Sequence, residues 1–501
     1  MKGGAHGGTE GHGNPGFARQ PSDTKEDTME RWIEEPARRI PMVRDVDVLV
    51  VGGGPAGIGA AVGAARAGAR TLLVERNGFL GGVATATMMT TWNVPSRCLA
   101  GMSRELFEGL LARGGALDGG PTIPYDPETF KDVAEAACLG AGVELLYYTW
   151  TAAPLQDGDT LHGAIVENKS GRQALAARVT VDATGDGDLV AAAGVPCVKG
   201  RETDGKMRPL TILFRLGNVD IRRVVEYARA RPEQFTADPN FQLLDLERGI
   251  VRISGFFDLV AEARERGELD KDCHYIRFEG VFPDRGTVFV NTTRVYGKDG
   301  TSAWDLTAGS IEARRQMDQL LRFLVGTVPG CERAFRIDAS TVIGVRETRR
   351  IRGEHVLTEE DILAGRTYDD TVAKVWRHHG AGRSWHSPDG GEGAPGDPTY
   401  RTMTTGLRSF EIPYGSLVPL GVDGLLAAGR LISQTHAADM WTRGIYCCVL
   451  TGQCAGAAAA LAARDGVAPR RLSVPALQRE LHRQGLDLGS RAAAVAGAGR
   501  R

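Results

Sequence analysis

Much of what the 501 residues lack is informative. No apolar run reaches the ~18–20 positions needed to span a bilayer; the longest candidate, Gly452 to Ala463, is short and rich in Ala and Gly. The N-terminus has no charged-then-apolar layout of a secretory signal. The eight cysteines contain no C-x-x-C pair and no framework spacing, which argues against an iron–sulfur cluster, a thioredoxin-like disulfide and an oxidising compartment. A formal charge of −2, with no basic arm or stripe, makes nucleic acid and anionic membranes poor default partners. Internal repeats are absent too. A cytoplasmic protein without a membrane span is expected. Hydrophobic content of 42 % with 24 % charged residues matches ordinary soluble globular chains.

What is present begins after a tail. Met1 to Asp27 is rich in Gly, His, Ser and Asp, too poor in apolar side chains to offset the entropy of ordering. Residues 1–43 are therefore read as a disordered tail and lead-in, with Met29 an alternative translation start to Met1. Asp45 to Val51 is then a strand-length apolar run, followed at once by Gly52-Gly-Gly-Pro55-Ala56-Gly57 and an Ala-rich helix from about Ile58 to Ala67. Gly68 stands where a helix C-cap belongs, and Thr71 to Val74 is a second strand ending on Glu75. This is a βαβ unit carrying a dinucleotide fingerprint. Gly52 permits the tight turn, Gly54 lets backbone approach a pyrophosphate at the helix N-terminus, and Gly57 allows close helix–strand packing. Glu75 is placed to accept hydrogen bonds from a ribose 2′-OH, and an acid there disfavours a 2′-phosphate.

Further along, the spacing predicts a helix from Pro127 to Leu139 and a strand from Val143 to Trp150. Strand-like pieces over Leu161 to Asn168 and Ala174 to Ala183, with a Ser170-Gly171 turn, read as a small antiparallel insertion. Arg178 to Asp182 is expected to be the next parallel strand. Residues 201–408 mix strands (Thr211 to Arg215, Thr287 to Thr293) with a helix over Thr307 to Val325, and read as a substrate-facing domain. Ser384 to Pro398, rich in Gly and Pro, reads as an exposed loop or lid. Dinucleotide-fold grammar returns at Gly424 to Gly429, with helices over Gly444 to Arg464 and Val474 to Gln484. The expected organisation is an α/β, Rossmann-like dinucleotide domain with a parallel sheet, built from 44–200 plus 409–465. An α+β substrate or cap domain (201–408) is inserted, and 466–501 forms a C-terminal helix and frayed tail.

Three later segments separate FAD from NAD. Arg76 and the run Gly78-Phe-Leu-Gly81-Gly82-Val-Ala-Thr85 follow Glu75 directly. Asp182-Ala183-Thr184-Gly185 ends a strand in small residues, and Leu425 to Gly429-Arg430 ends another more than 350 residues beyond the glycine motif. An NAD domain closes within about 150 residues; a cofactor contacted from both ends of the chain suits FAD. The chain resembles the FAD-dependent oxidoreductase family of the glutathione-reductase-like, two-dinucleotide-fingerprint flavoproteins, from Glu34 nearly to the end. The carriers are Val48 to Gly57, Glu167 to Gly171, Val181-Asp-Ala-Thr-Gly-Asp-Gly-Asp188, Ile343 to Arg350, Ile412 to Leu417 and Ala428-Gly-Arg430. The resemblance implies bound FAD. It also implies that the helix opening at Gly444 aims its N-terminus at the flavin pyrimidine ring. One departure stands out: where many relatives carry an acid that contacts the ribityl chain, this chain has Arg430. The Gly-Asp-Ala-Ala-His pattern of aromatic-ring hydroxylases is missing as well.

For chemistry the candidates are His436, Arg443 and Arg346. Imidazole titrates near neutrality, so His436 is the best acid/base candidate, against a satisfied structural histidine. Arg443 belongs either beside the flavin or substrate or in a helix-end ion pair. Arg346, with Arg349 and Arg350 around Glu347, forms either a bidentate carboxylate clamp or an ion-pair face shared with Glu354. His378, His379 and His386 lie in a Gly-rich stretch without ligand spacing, so no metal site is expected. Cys98 is either an inert thiol or a covalent flavin tether. The leading expectation is a dehydrogenase or oxidase passing hydride between a small organic substrate and flavin N5, reoxidised by oxygen or a separate electron acceptor. A flavin monooxygenase, an RNA-associated flavoprotein and a non-catalytic flavin binder are the alternatives; substrate and oligomeric state stay open.

Overall fold

In a computed structural model the described residues are 33–237, 242–282, 285–378, 387–389 and 406–489. Residues 1–32 of the expected tail, His379 and His386, and most of the 384–398 loop lie outside them, whereas Met42 and Val43 of the expected lead-in already belong to a strand. Met1–Arg39 is a unit of its own, described only over 33–39 as irregular backbone, and Ile40–Arg501 forms the other.

The first sheet grows from the βαβ unit. β1 (Met42–Val51) pairs in parallel with β2 (Thr71–Val74), and β2 in turn with β3 (Glu144–Leu146). The helix between β1 and β2, α1 (Pro55–Arg66), starts three residues earlier than its apolar pattern suggests. Pro55 sits at the first helical positions, where its missing N–H costs nothing. The helix over Pro127–Gly140 (α2) is capped by Asp126, whose carboxylate accepts from Glu128 N. The strand expected over Val143 to Trp150 is interrupted: Tyr148 adopts φ 52°, splitting β3 from β4 (Trp150–Asp157). β4, β5 (Thr160–Asn168) and β6 (Gly171–Asp182) run antiparallel. β6 is one twelve-residue strand rather than two pieces, because it also pairs in parallel with β1 along its length, from Ala174 opposite Met42 to Asp182 opposite Val51.

The second sheet is antiparallel throughout. Its strands are β7 (Phe214–Gly217), β8 (Leu243–Asp245), β9 (Ile250–Gly255), β10 (Ile276–Phe282), β11 (Thr287–Val290) and β12 (Phe335–Ala339), in spatial order β8-β9-β10-β11-β7-β12. Period-two alternation divides its faces. Phe214, Ile253, Phe278 and Val290 point into a second hydrophobic core with Met317, Leu320, Phe323 and Leu324 of the long helix α3 (Ala303–Thr327). The opposite face carries Arg252, Ser254, Arg277 and Glu279. Leu210 to Ala334 supplies the buried members of this second core. Leu357, Ile362 and Val372, also within 201–408, pack instead into the first core with α1 and the C-terminal helix.

The chain then returns through the hairpin of β13 (Thr371–His378) and β14 (Leu407–Pro413) to β15 (Leu425–Ala427), which pairs in parallel with β6. Val51, Asp182 and Ala427 consequently stand level, with Ala183 N bonded to Val51 O at 2.8 Å and Ala428 N to Asp182 O at 3.0 Å. Three strand ends from both halves of the chain thus meet at one carboxyl edge, where open α/β sheets bind ligands. Behind them lies α4 (Ile445–Asp465), long and apolar enough to cross a membrane by length and composition, which the sequence reading missed by counting only its Ala/Gly core. Its most apolar window is wholly buried within the protein. It lies so close on α1 that a Cβ at Gly452 would come within 1.9 Å of Ala56 O, and one at Gly59 within 2.0 Å of Val449 O.

Candidate active site

A cavity of about 240 Å³ opens at the carboxyl edge of the first sheet and continues to the polar face of the second. At the first end, the turn after β1 is made of backbone. Gly52 takes φ +94°, and a Cβ at Gly57 would sit 1.8 Å from Gly52 O. Neither position tolerates a side chain. Gly54 differs: its nearest neighbour across the turn is Gly82 Cα, 4.0 Å from where a Cβ would be, so backbone there faces the cavity. Gly54 is also the N-cap of α1 and no side chain caps that end, which leaves the helix's positive end to the cavity. This cradle suits a pyrophosphate.

Glu75 is buried and lines the same end. Its Oε2 accepts from Gly53 N at 2.6 Å, and its Oε1 from Asn77 N at 2.8 Å and Asn77 Nδ2 at 2.6 Å. The carboxylate therefore holds the glycine turn as well as facing the cavity. Pro55, Ala56, Arg76, Gly82, Ala183, Thr184, Gly185, Gly429, Arg430 and Gly444 line the cavity, as do Arg346 and Arg443. Gly57, Gly81, Thr85 and Asp182 stand one layer behind it. Thr85 Oγ1 donates to Leu80 O at 2.8 Å, and Gly81 N to Gly53 O at 2.8 Å. Asp182 is fully buried and organises the turn after β6, accepting from Thr184 N, Thr184 Oγ1 and Val190 N at 2.8–2.9 Å. Burial pushes its carboxyl up to about 6, against those hydrogen bonds.

Arg430, the departure from the family pattern, has its explanation here. Its Nη2 donates to Asp186 Oδ1 at 2.5 Å and its Nη1 to Val345 O at 2.8 Å. Asp186 lines the cavity and also accepts from Thr348 Oγ1 at 2.8 Å, so an acid is present at this place although it comes from the β6 turn. Asp186 was legible within Val181 to Asp188, yet sequence alone does not show which of that run's acids turns inward.

His436 is placed differently from its expected acid/base role. It does not line the cavity: its Nδ1 meets Glu347 Oε1 at 2.7 Å, and its backbone N donates to Glu202 Oε1. Glu347 is almost wholly buried, shared with Arg350 and with Arg208 at 3.6 Å. Burial alone would raise its carboxyl, but the hydrogen bond from His436 and the charges of Arg208, His436 and Arg350 outweigh it and hold it below the usual range. The expected cluster around Glu347 is thus split. Arg350 stays with Glu347, Arg349 bonds Asp186 O and Asp188, and Arg346 turns to the cavity. Cys98 is half-buried and does not line the cavity. Among the described residues no cluster of His, Cys, Asp or Glu is arranged to hold a metal.

At the far end the walls are cationic. Arg252 of β9 and Arg277 of β10 both reach Glu279, at 2.6 and 3.5 Å. Arg443 lies 3.6 Å from Asp439, and burial first, then the charges of Arg208 and Arg377, pull its guanidinium down to about 9 despite that carboxylate. Among the described residues Arg346 and Arg377 bond backbone carbonyls, Pro209 O and Trp441 O, and no carboxylate. Arg252, Arg277 and Arg377 were missed in sequence. Their signal was a charge inside an apolar strand pattern (Ile-Val-Arg-Ile, Tyr-Ile-Arg-Phe), which marks a side chain held for a reason.

The family model "FAD dependent oxidoreductase" matches residues 47–481, and the chain belongs to that family. As a member it is an FAD-dependent oxidoreductase with FAD as its cofactor, and its parallel βαβ sheet is of Rossmann type. Among curated proteins it is 31 % identical over 159 residues to the dihydrolipoyl dehydrogenase of Trypanosoma brucei brucei, covering 30 % of this chain and 32 % of that one. It is 40 % identical over 70 residues to the mitochondrial dihydrolipoyl dehydrogenase of Caenorhabditis elegans, covering 14 % and 13 %. Each match spans less than a third of the relative's length. Among solved structures, a geranylgeranyl bacteriochlorophyll reductase-like protein of Thermoplasma acidophilum aligns with TM-score 0.45 at 15 % identity, over 91 % of this chain and 87 % of that one. The p-nitrophenol 4-monooxygenase of Pseudomonas putida aligns with TM-score 0.44 at 13 % identity, over 90 % and 89 %.

Proposed function

We propose that the enzyme is a dehydrogenase or oxidase that moves a hydride between a carbon of a small organic substrate and N5 of FAD. The observation that supports this most is one cavity lined both by the glycine fingerprint and by the polar face of the second sheet. It gives cofactor and substrate a common space. When bound, FAD supplies the electron-accepting ring. Gly52, Gly54, Pro55 and Ala56 would cradle the pyrophosphate, Glu75 would hold the ribose, and Ala183, Thr184, Gly429 and Gly444 would let backbone approach the ring system. Arg443, next to the N-cap Gly444 of α4, would join the helix's positive end in stabilising negative charge on the reduced cofactor. The second sheet orients the substrate and excludes water from it.

His436 acts through others in this reading. It fixes Glu347, and Arg208 bridges Glu347 to Asp439, which neighbours Arg443. It is a positioning residue. Reoxidation falls to oxygen or a separate electron acceptor, and eight free thiols suit a reducing, cytoplasmic setting.

The test is a purified, visibly yellow protein mixed anaerobically with panels of hydroxy acids, amino acids and alcohols. Bleaching of the flavin by a substrate alone supports the reading. Bleaching that needs a nicotinamide donor, followed by oxygen insertion into the substrate, would replace it with a monooxygenase.

A further inference from the structure

Resting on that reading of the cavity, we infer that the substrate is a small organic acid carrying two carboxylates and one hydroxyl or amine donor. Five guanidiniums line the far end, those of Arg252, Arg277, Arg346, Arg377 and Arg443, while the carboxylates that line the cavity, Glu75 and Asp186, belong to its first end. Glu279 and Asp439 stand behind three of the five. Arg346 and Arg377 are 7 % and 6 % exposed and have no carboxylate within ion-pair distance among the described residues. An arginine keeps its charge in a protein, and a buried charge without a counter-ion is costly. Two such cations at one end of a cavity are therefore balanced by anionic groups brought in by the ligand, for which the planar guanidinium fork is the best receptor among side chains.

Burial, and the neighbouring charges of Arg294 and Arg443, disfavour the Arg346 cation, an effect that an incoming anion would reverse. Arg443 also feels the charge of Arg377, so the three guanidiniums oppose one another until an anion arrives.

The donor is specified by Asn291. Its Nδ2 donates to Glu279 Oε2 at 3.2 Å, which fixes the amide orientation, and its Oδ1 is buried without a hydrogen-bond partner at the cavity wall. An acceptor left open there calls for an O–H or N–H from the ligand. Carboxylates alone cannot supply it.

The experiment uses the oxidised holoprotein, titrated by calorimetry with malonate, succinate, malate, aspartate and glutarate, and with succinamide as the neutral control. Flavin absorbance and Tm are recorded in parallel. Expected are binding of at least one dianion, malate or aspartate tighter than succinate, no binding of succinamide, and affinity falling with added salt. Arg346→Met and Arg377→Met should each weaken that binding at least about tenfold, the loss of one charge-assisted pair, with FAD content unchanged. Asn291→Ala should erase the preference for malate over succinate. Should Arg346→Met fail to fold, Arg377→Met carries the test. Absence of binding by every dianion in a yellow, dithionite-reducible protein, or equal binding of succinamide, overturns the inference and leaves the FAD reading intact. A colourless protein that takes up no FAD yet binds malate in an Arg346-dependent way overturns that reading and keeps the anion site.

Discussion

The two ends of the cavity are built from different materials. At the first, glycine and alanine backbone at Gly52, Gly54, Ala183 and Gly429 forms the cradle, with Glu75 binding the turn together and Asp186 paired to Arg430 beside it. At the second it is long side chains reaching from β9, β10, the Ile343–Arg350 segment, β13 and the start of α4. Backbone geometry is fixed by neighbours a few residues away. A side-chain wall depends on several distant segments agreeing in space. One end can therefore serve one cofactor across many enzymes, while the other is free to change with substrate.

The largest effect that separates the ends is expected from Gly57→Ala. The new methyl would meet Gly52 O at 1.8 Å, backbone that cannot yield without opening the turn. Loss of more than about 4 kcal/mol, or outright failure to fold, is expected, measured as soluble yield, Tm and FAD-to-protein ratio together. A yellow, stable variant would show that the turn is softer than its geometry implies.

Arg346→Met addresses the other end. It should leave FAD content near wild type and Tm of the substrate-free protein equal or higher, while reducing kcat/KM on an anionic substrate by about 2–5 kcal/mol, the scale for truncating one member of a buried charge pair. If FAD content falls in step with turnover, the ends are not independent and the comparison fails.

What was legible in the sequence follows the same division. The βαβ unit, Glu75, the Asp182 to Gly185 strand end and Gly429 announce themselves because fold and spacing demand those residues locally. The interruption at Tyr148 was hidden: nothing in its neighbourhood shows that the chain turns through φ 52° there. In β6 both the antiparallel partner of the Ala174 to Ala183 piece and the parallel role of Arg178 to Asp182 were legible, but not that one strand serves both at once, since β1 and β5 lie on its opposite sides. At the far end, Arg346 was singled out but its separation from Arg350 was invisible. Both flank Glu347, and only the fold decides which of them turns to that carboxylate. His436 next to Glu347, 89 residues away in the chain, is the same kind of fact.

A smaller effect tests whether Glu75 is structural, ligand-binding or both. Glu75→Gln replaces one acceptor with a donor that must face either Gly53 N–H or Asn77 N–H. It should cost about 1–3 kcal/mol, divided between Tm of the FAD-free protein and Kd for FAD. A change confined to Tm would assign Glu75 to the turn alone, and one confined to Kd would assign it to the ribose.

The last test concerns Asp182, one layer behind the first end, where its carboxyl holds the Thr184 turn. Its folded carboxyl titrates near 6 rather than near the usual value of about 4. In that window the folded protein holds a proton that the unfolded chain releases, so folding takes up protons and stability falls as pH rises from about 4 to 6. Above 6 both states are ionised and the penalty is fully present. Asp182→Asn cannot ionise, so its Tm relative to wild type should climb between pH 4 and pH 7 and then level off. A difference that stays flat across that range would mean the hydrogen bonds from Thr184 and Val190 stabilise the carboxylate fully, and that burial at the strand end costs this carboxylate nothing.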